Sequence, residues 1–232
     1  VLNVIGKAEK LVDAPPGVAS KTLYTDTPIV QDYLKELAAN SFGQDQNSVT
    51  VGEMSSTTVK NSIAYTKPEN HELSMVFQFH HLKTDYKNGE KWTKEPYNFN
   101  ALRDILHTWG QQLDQGGGWQ ALFWNNHDQP RALNRFGNVD KYRVKSAEML
   151  AAAIHLSRGT PYIYMGEEIG MTDPHYHSMA DYVDIEAKNA YKALLKEGKS
   201  EKAAFAIILA KARDNSRTPM QWDDSANAGF TT

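Results

Sequence analysis

The 232 residues suffice for one large domain or two small ones, and a 41% hydrophobic, 23% charged composition is ordinary for a globular protein. A net charge of −3 supplies no cationic field for nucleic acid or anionic lipid, and no apolar run approaches the roughly 20 residues that span a bilayer, so neither nucleic acid nor membrane is an expected partner. The absence of cysteine removes a disulfide framework and a thiolate metal site, and suits a reducing compartment.

The run Val1-Leu2-Asn3-Val4-Ile5-Gly6 reads as the end of a buried strand and lacks the basic stretch and cleavage site of a signal peptide. A chain that opens mid-strand is expected to be a piece of something longer. Thr27-Pro28 then starts a helix by N-cap and N1 logic, with Ile29, Tyr33, Leu34 and Leu37 on one face. Ser48-Val49-Thr50-Val51-Gly52-Glu53 is a short apolar run bounded by turn signals, as in a buried parallel strand. Residues 73–81 give a weaker strand, with Met75, Phe77 and Phe79 alternating against Ser74, Val76 and Gln78. Residues 99–113 carry Leu102, Ile105, Leu106, Trp109 and Leu113 at helical spacing. A strand over 121–128 precedes a helix over 142–156 that carries Val144, Ala147, Met149, Leu150 and Ile154, and another strand is expected over 161–168. Residues 196–202 read as a solvated loop between helices, and 213–232 as a polar segment rich in turns. Strand and helix alternate, which predicts an α/β fold with βαβ units and a parallel sheet.

In such folds ligands bind at the C-terminal ends of the strands. Those ends carry Glu53, His80-His81, Asn126-His127-Asp128 and Glu167-Glu168. Two carboxylates from separate strands suit glycosidic chemistry, which needs one as proton donor and one as nucleophile or charge stabiliser. Aromatic rings beside polar residues suit sugar binding as well, because ring faces stack on C–H faces. Bland readings stand beside these. Glu53 could simply cap the next helix, His127-Asp128 could be a satisfied buried pair, and Glu167-Glu168 read best as a structural hydrogen-bonding pair. His80-His81 make poor metal ligands, since adjacent strand residues point to opposite faces. No metal and no cofactor is expected.

Four longer motifs then carry a resemblance. Phe123-Trp124-Asn125-Asn126-His127-Asp128-Gln129-Pro130-Arg131 resembles the fourth conserved region of the α-amylase family of glycoside hydrolases, and Val51-Gly52-Glu53-Met54 resembles its third. The run from Gly159 to Met171, Gly-Thr-Pro-Tyr-Ile-Tyr-Met-Gly-Glu-Glu-Ile-Gly-Met, is similar to the eighth strand of the oligo-1,6-glucosidase branch. Arg213-Asp214-Asn215-Ser216-Arg217-Thr218-Pro219-Met220-Gln221-Trp222 resembles a further segment of that branch. The resemblance covers nearly the whole chain and implies strands five to eight of a (β/α)₈ barrel, its C-terminal half. It implies that Glu53 is the general acid and then base, and that Asp128 is the third carboxylate, which holds sugar hydroxyls in the distorted state. It also implies that His127, with Asn126 beside it, binds the same sugar and that Arg213 binds the non-reducing-end glucose. Glu53 then has to stay protonated, which calls for burial or a neighbouring carboxylate, and Asp128 has to stay ionised, which calls for donors such as His127.

The nucleophilic Asp of the family would immediately precede Val1, and the first half of the barrel, the inserted B domain and the C-terminal β-domain would be missing. The isolated chain is therefore expected to be inactive. Half a barrel, with its strand edges unpaired, is expected to self-associate. Within the branch, Glu53-Met54-Ser55-Ser56-Thr57-Thr58 and the run Phe79-His80-His81-Leu82-Lys83 resemble trehalose-6-phosphate hydrolases, where oligo-1,6-glucosidases more often have Phe-Glu-His. The implied substrate is a small phosphorylated or α-1,6-linked glucoside, used in the cytoplasm. Lys83, with His80 or His81, is then a candidate reader of a 6-phosphate. A non-catalytic, transporter-associated relative is the alternative of another class, and an unrelated doubly wound sheet is the architectural runner-up.

Overall fold

The computed structural model describes residues 14–18, 23 and 25–231. The strand expected at residues 1–6 lies outside the described residues. The chain divides into two compact units. Unit 1 holds the described residues up to His81 with Asn100–Leu122 and Ser157–Thr160; unit 2 holds Leu82–Phe99, Phe123–Leu156 and the described residues from Pro161 onward.

Unit 1 carries the sheet. Helix α1 (Pro28–Asn40) leads to β1 (Val51–Glu53), α2 (Val59–Thr66), β2 (Met75–Phe77), most of α3 (Phe99–Gly116) and β3 (Gln120–Leu122), with Thr160 of β4 (Thr160–Pro161) last. The four strands lie in the order β1-β2-β3-β4. β1 pairs parallel to β2, with Gly52 opposite Val76, and β2 pairs parallel to β3, with Phe77 opposite Ala121. The expected βαβ alternation and parallel pairing are both present. Tyr65 is buried beside Val30, Leu34, Met54, Leu73 and Val76, which form the core where α1 and α2 cover the sheet.

Three expectations need correction. The face that α1 buries is Val30, Leu34 and Ala38, while Ile29 and Leu37 are exposed. Two apolar stripes lie side by side on this helix, and tertiary contact selects the one that includes the small Ala38. The alternation expected along residues 73–81 is absent, since Val76 and Gln78 are as buried as Met75. A parallel strand packed on both faces has no solvent side to alternate toward. The strands are also shorter than expected. β2 ends at Phe77, so His80 and His81 lie in the turn that follows and not on a strand. Of residues 161–168 only Pro161 is in a strand. Beyond Tyr164 the chain turns, with Glu167 N donating to Tyr164 O at 2.9 Å and Met171 N to Gly166 O at 2.8 Å.

Unit 2 is built by α4 (Ala132–Phe136), α5 (Arg143–His155), α6 (Ile185–Lys196) and α7 (Glu201–Lys211). α5 buries Ser146, Leu150 and Ile154 and leaves Val144 and Met149 exposed, so only part of the apolar set expected there reaches the core. Trp124 is buried, donates its indole N–H to Leu150 O at 2.7 Å and packs on Phe136. α6 and α7 are joined by a short turn with Gly198 at φ +86°, the loop expected at 196–202. They enclose Ala187, Ala190, Leu194, Ala204, Ile207 and Ile208.

Gly166 has φ +83°, and a Cβ placed there would come within 2.2 Å of Met171 Sδ and 3.1 Å of Met171 Cβ. Gly166→Ala therefore combines left-handed strain with overpacking, and is expected to cost about 2–4 kcal/mol. A urea-unfolding midpoint unchanged from that of the parent would contradict this.

Candidate active site

Gly52 sets the direction of Glu53. A Cβ at Gly52 would lie 2.7 Å from Leu73 Cδ1 and 3.3 Å from Val76 Cγ1, so this position packs against the core with no side chain to spare. Strand alternation then turns Val51 and Glu53 to the other face, and both are exposed. The enclosure expected around Glu53 is not built by the described residues of its own unit. Glu53 also does not cap the next helix. Thr58 does, its hydroxyl accepting from Asn61 N at 3.2 Å.

The loop after Glu53 is held by residues that local sequence pattern does not reveal. Asp26 accepts from Thr57 Oγ1 at 3.0 Å, from Tyr65 Oη at 2.8 Å and from Thr58 N at 3.3 Å. Burial and this bond push the Tyr65 phenol well above its ordinary range. His80 Nε2 lies 2.8 Å from Thr57 O, and its ring stacks obliquely on Trp109. His81 is buried, with Nδ1 3.1 Å from Gln78 Nε2. The same loop thus engages His80, and Gln78 engages His81. A cleft of about 960 Å³ in unit 1 lies at the other, N-terminal end of β1 and β2, lined by Thr50, Glu72 and Ser74. Burial pushes the Glu72 carboxyl up to about 7 against the pull of Lys35, 3.8 Å away.

Unit 2 brings Asn126, His127, Asp128 and Arg213 together. The Asn126 side chain accepts from Asp128 N at 2.9 Å, a short Asx turn that fixes the backbone of Asp128. Asp128 Oδ1 accepts from Arg213 Nη1 at 3.1 Å and from Arg217 Nη2 at 3.0 Å, while Oδ2 lies 3.5 Å from His127 Nε2. The donors that Asp128 requires are therefore chiefly two arginines. His127 is exposed and Asp128 about two-fifths exposed, which removes the reading of a satisfied buried pair. Behind the arginines stands Asp184, the N-cap of α6, which accepts from Glu186 N at 2.8 Å. It accepts from Arg213 Nε at 2.6 Å and Nη2 at 3.0 Å, and from Arg217 Nη1 at 2.8 Å. The Arg213 bonds hold the Asp184 carboxyl down to about 2. Sequence reading missed Asp184 and Arg217. Arg217 did lie within a quoted motif, but nothing local assigned it a partner. Lys83, in the turn His81–Lys83, is half-buried in unit 2.

Glu167 accepts from Tyr164 N at 3.4 Å and is pushed up by burial, the structural role expected of it; Glu168 is exposed. Among the described residues no group of three or more His, Asp or Glu is placed to hold a metal ion.

Asp128 thus follows β3 held by two arginines, and Glu53 stands at the end of β1. The model of the α-amylase catalytic domain matches residues 1–232. The chain belongs to the α-amylase family. It is 51% identical over its full length to the trehalose-6-phosphate hydrolase of Bacillus subtilis, of which it covers 41%. It is 45% identical to the oligo-1,6-glucosidase of Parageobacillus thermoglucosidasius, covering 42%. The crystal structure of Bacillus licheniformis trehalose-6-phosphate hydrolase superposes on the whole chain with a TM-score of 0.92 at 51% identity, over 41% of that chain. The chain thus spans about two-fifths of the relatives it matches, and its parallel sheet with flanking helices is a portion of the family's barrel.

Proposed function

We propose that the full-length protein is a retaining α-glucoside hydrolase, and that its substrate is trehalose 6-phosphate, which it splits to glucose and glucose 6-phosphate. The observation that carries the reading is Asp128, one of whose carboxylate oxygens accepts from both Arg213 and Arg217 while the other lies 3.5 Å from His127 Nε2. The reaction needs a fixed negative charge beside a sugar ring that gains oxocarbenium character, and an acid for the leaving oxygen. Glu53 takes the second role, donating its proton to the glycosidic oxygen and then withdrawing one from water. His127 and Arg213 bind the sugar in subsidiary roles. The identity to two trehalose-6-phosphate hydrolases, at 51% and 46%, supports the substrate. The 45% identity to an oligo-1,6-glucosidase supports isomaltooligosaccharides as the second reading. The test is an assay of the full-length protein on trehalose 6-phosphate and isomaltose side by side. Preference for the phosphorylated sugar supports the first reading, preference for isomaltose the second, and turnover of neither sinks both.

In the first reading Lys83 contributes to recognition of the 6-phosphate. A charge-assisted contact contributes about 1.5–3 kcal/mol. Lys83→Glu is therefore expected to raise KM for the phosphorylated substrate roughly 10- to 100-fold. An equal rise on an unphosphorylated α-glucoside would remove Lys83 from phosphate recognition.

A further inference from the structure

We propose that Arg217 is the positioning residue for Asp128, fixing both the backbone that carries it and the carboxylate oxygen that substrate does not use; this rests on the hydrolase reading above. Each of the three guanidinium nitrogens of Arg217 has its own acceptor. Nε donates to His127 O at 2.7 Å, Nη2 to Asp128 Oδ1 at 3.0 Å and Nη1 to Asp184 Oδ2 at 2.8 Å. All three nitrogens are thus anchored to the protein itself, while each Nη keeps a second N–H. Anchoring at every nitrogen suits a group that acts through Asp128, by holding it in place. Its hold is on main chain as well as side chain. The carbonyl it grips belongs to the residue immediately before Asp128, and the Asx turn from Asn126 fixes the amide of Asp128 on the other side. The peptide carrying Asp128 is thus clamped from both ends.

Arg217 and Arg213 are not equivalent. Arg213 places two of its nitrogens on Asp184 and only one on Asp128, and has no bond to the main chain of the 126–128 turn. Arg213 can swing one nitrogen to a ligand and remain anchored by its pair of bonds to Asp184. If it does so, Arg217 alone keeps Asp128 Oδ1 occupied, with Oδ2 beside His127 Nε2. Asp184 makes this possible, since it is nearly buried and locked as a helix N-cap, and so gives both arginines a fixed base. A lysine could satisfy one of the three acceptors but not the planar fork.

The test uses the full-length protein with Arg217→Ala and Arg217→Lys. Displacing a reacting group by about 1 Å costs on the order of 100-fold in rate. On an α-glucoside that the parent turns over, Arg217→Ala is expected to lower kcat by about that factor with KM changed far less, and Arg217→Lys to recover only a small part. An unchanged kcat with a raised KM would make Arg217 a plain substrate ligand and overturn the proposal, as would full recovery by lysine. The second measurement is a crystal structure of Arg217→Ala. A rotated Asp128 carboxylate and a shifted His127 carbonyl support the proposal, and both atoms in their original places overturn it. If the parent hydrolyses no α-glucoside, the functional reading fails, and the crystal structure still decides what Arg217 does.

Discussion

Asp85→Ala is expected to destabilise unit 2 by about 3–5 kcal/mol, among the largest losses available to a single substitution in it. Asp85 accepts from Arg135 Nη2 at 2.7 Å and Nε at 3.1 Å, and from Lys211 Nζ at 2.6 Å, and the three side chains are all nearly inaccessible to solvent. Arg135 also donates to Leu82 O and Gln129 Oε1, and Lys211 to Asp85 O. Alanine leaves two cations buried without their counter-charge, and the cost comes from that stranding more than from lost attraction. A companion variant separates the two. Asp85→Leu combined with Lys211→Met leaves one stranded cation, Arg135, where Asp85→Ala leaves two, and is expected to recover part of the loss. If the double variant is as unstable as Asp85→Ala, stranded charge is not the cause.

The same cluster sets a pH dependence. Burial works to raise the Asp85 carboxyl, but Arg135 and then Lys211 outweigh it and hold the group below the usual carboxylate range. A depressed folded value means that the stabilisation is complete above the unfolded value of about 4 and disappears as the pH falls through the folded one. The gap between parent and Asp85→Ala, followed by urea unfolding, should therefore narrow only in acid below about pH 4. A gap that narrows between pH 6 and 8 would point to another group.

Glu53→Gln in the full-length protein is expected to lower kcat by roughly 10²–10⁴-fold with little change in KM, because the amide keeps the shape and loses the transferable proton. Glu53 is exposed on the face of β1 that it shares with Val51, so the substitution should leave stability nearly unchanged. The leaving group supplies the sharper comparison. A nitrophenyl α-glucoside departs as a stabilised phenolate and needs no proton, so formation of the glycosyl-enzyme should survive the substitution on that substrate far better than on a disaccharide. Equal losses on the two would remove Glu53 from the role of acid. Unaltered sugar binding by a parent with no turnover at all would favour the non-catalytic alternative.

The parallel βαβ order was legible because each strand is a short apolar run closed by polar residues. The motif turn Asn126-His127-Asp128 was legible because its polar residues follow such a run directly. The charges that organise unit 2 were not. Lys211 and Asp85 lie 126 residues apart and Arg217 and Asp128 lie 89 apart, and nothing in a local pattern distinguishes an arginine that will be buried from one that will be solvated. α1 illustrates a different limit. Of the expected face Ile29, Tyr33, Leu34 and Leu37, only Leu34 is fully buried; Ile29 and Leu37 outrank Val30 and Ala38 in hydrophobicity and are the exposed pair. Packing selects a face by the room that neighbours leave, which no ranking of single residues contains.

Gly52 joins two properties usually tallied apart. Its Cα faces Leu73, Val76 and Met54, and the very next residue is Glu53. Any enlargement on the apolar side must push β1 sideways, and the carboxyl moves with it. In a random-mutagenesis screen scored by turnover, uncharged changes at Leu73 or Gly52 would be recovered as catalytic defects although neither residue meets a sugar. Suppressors of such defects should then map to the opposing wall of the core, as smaller residues at Met54 or Val76, and not to the charged turn around Asp128.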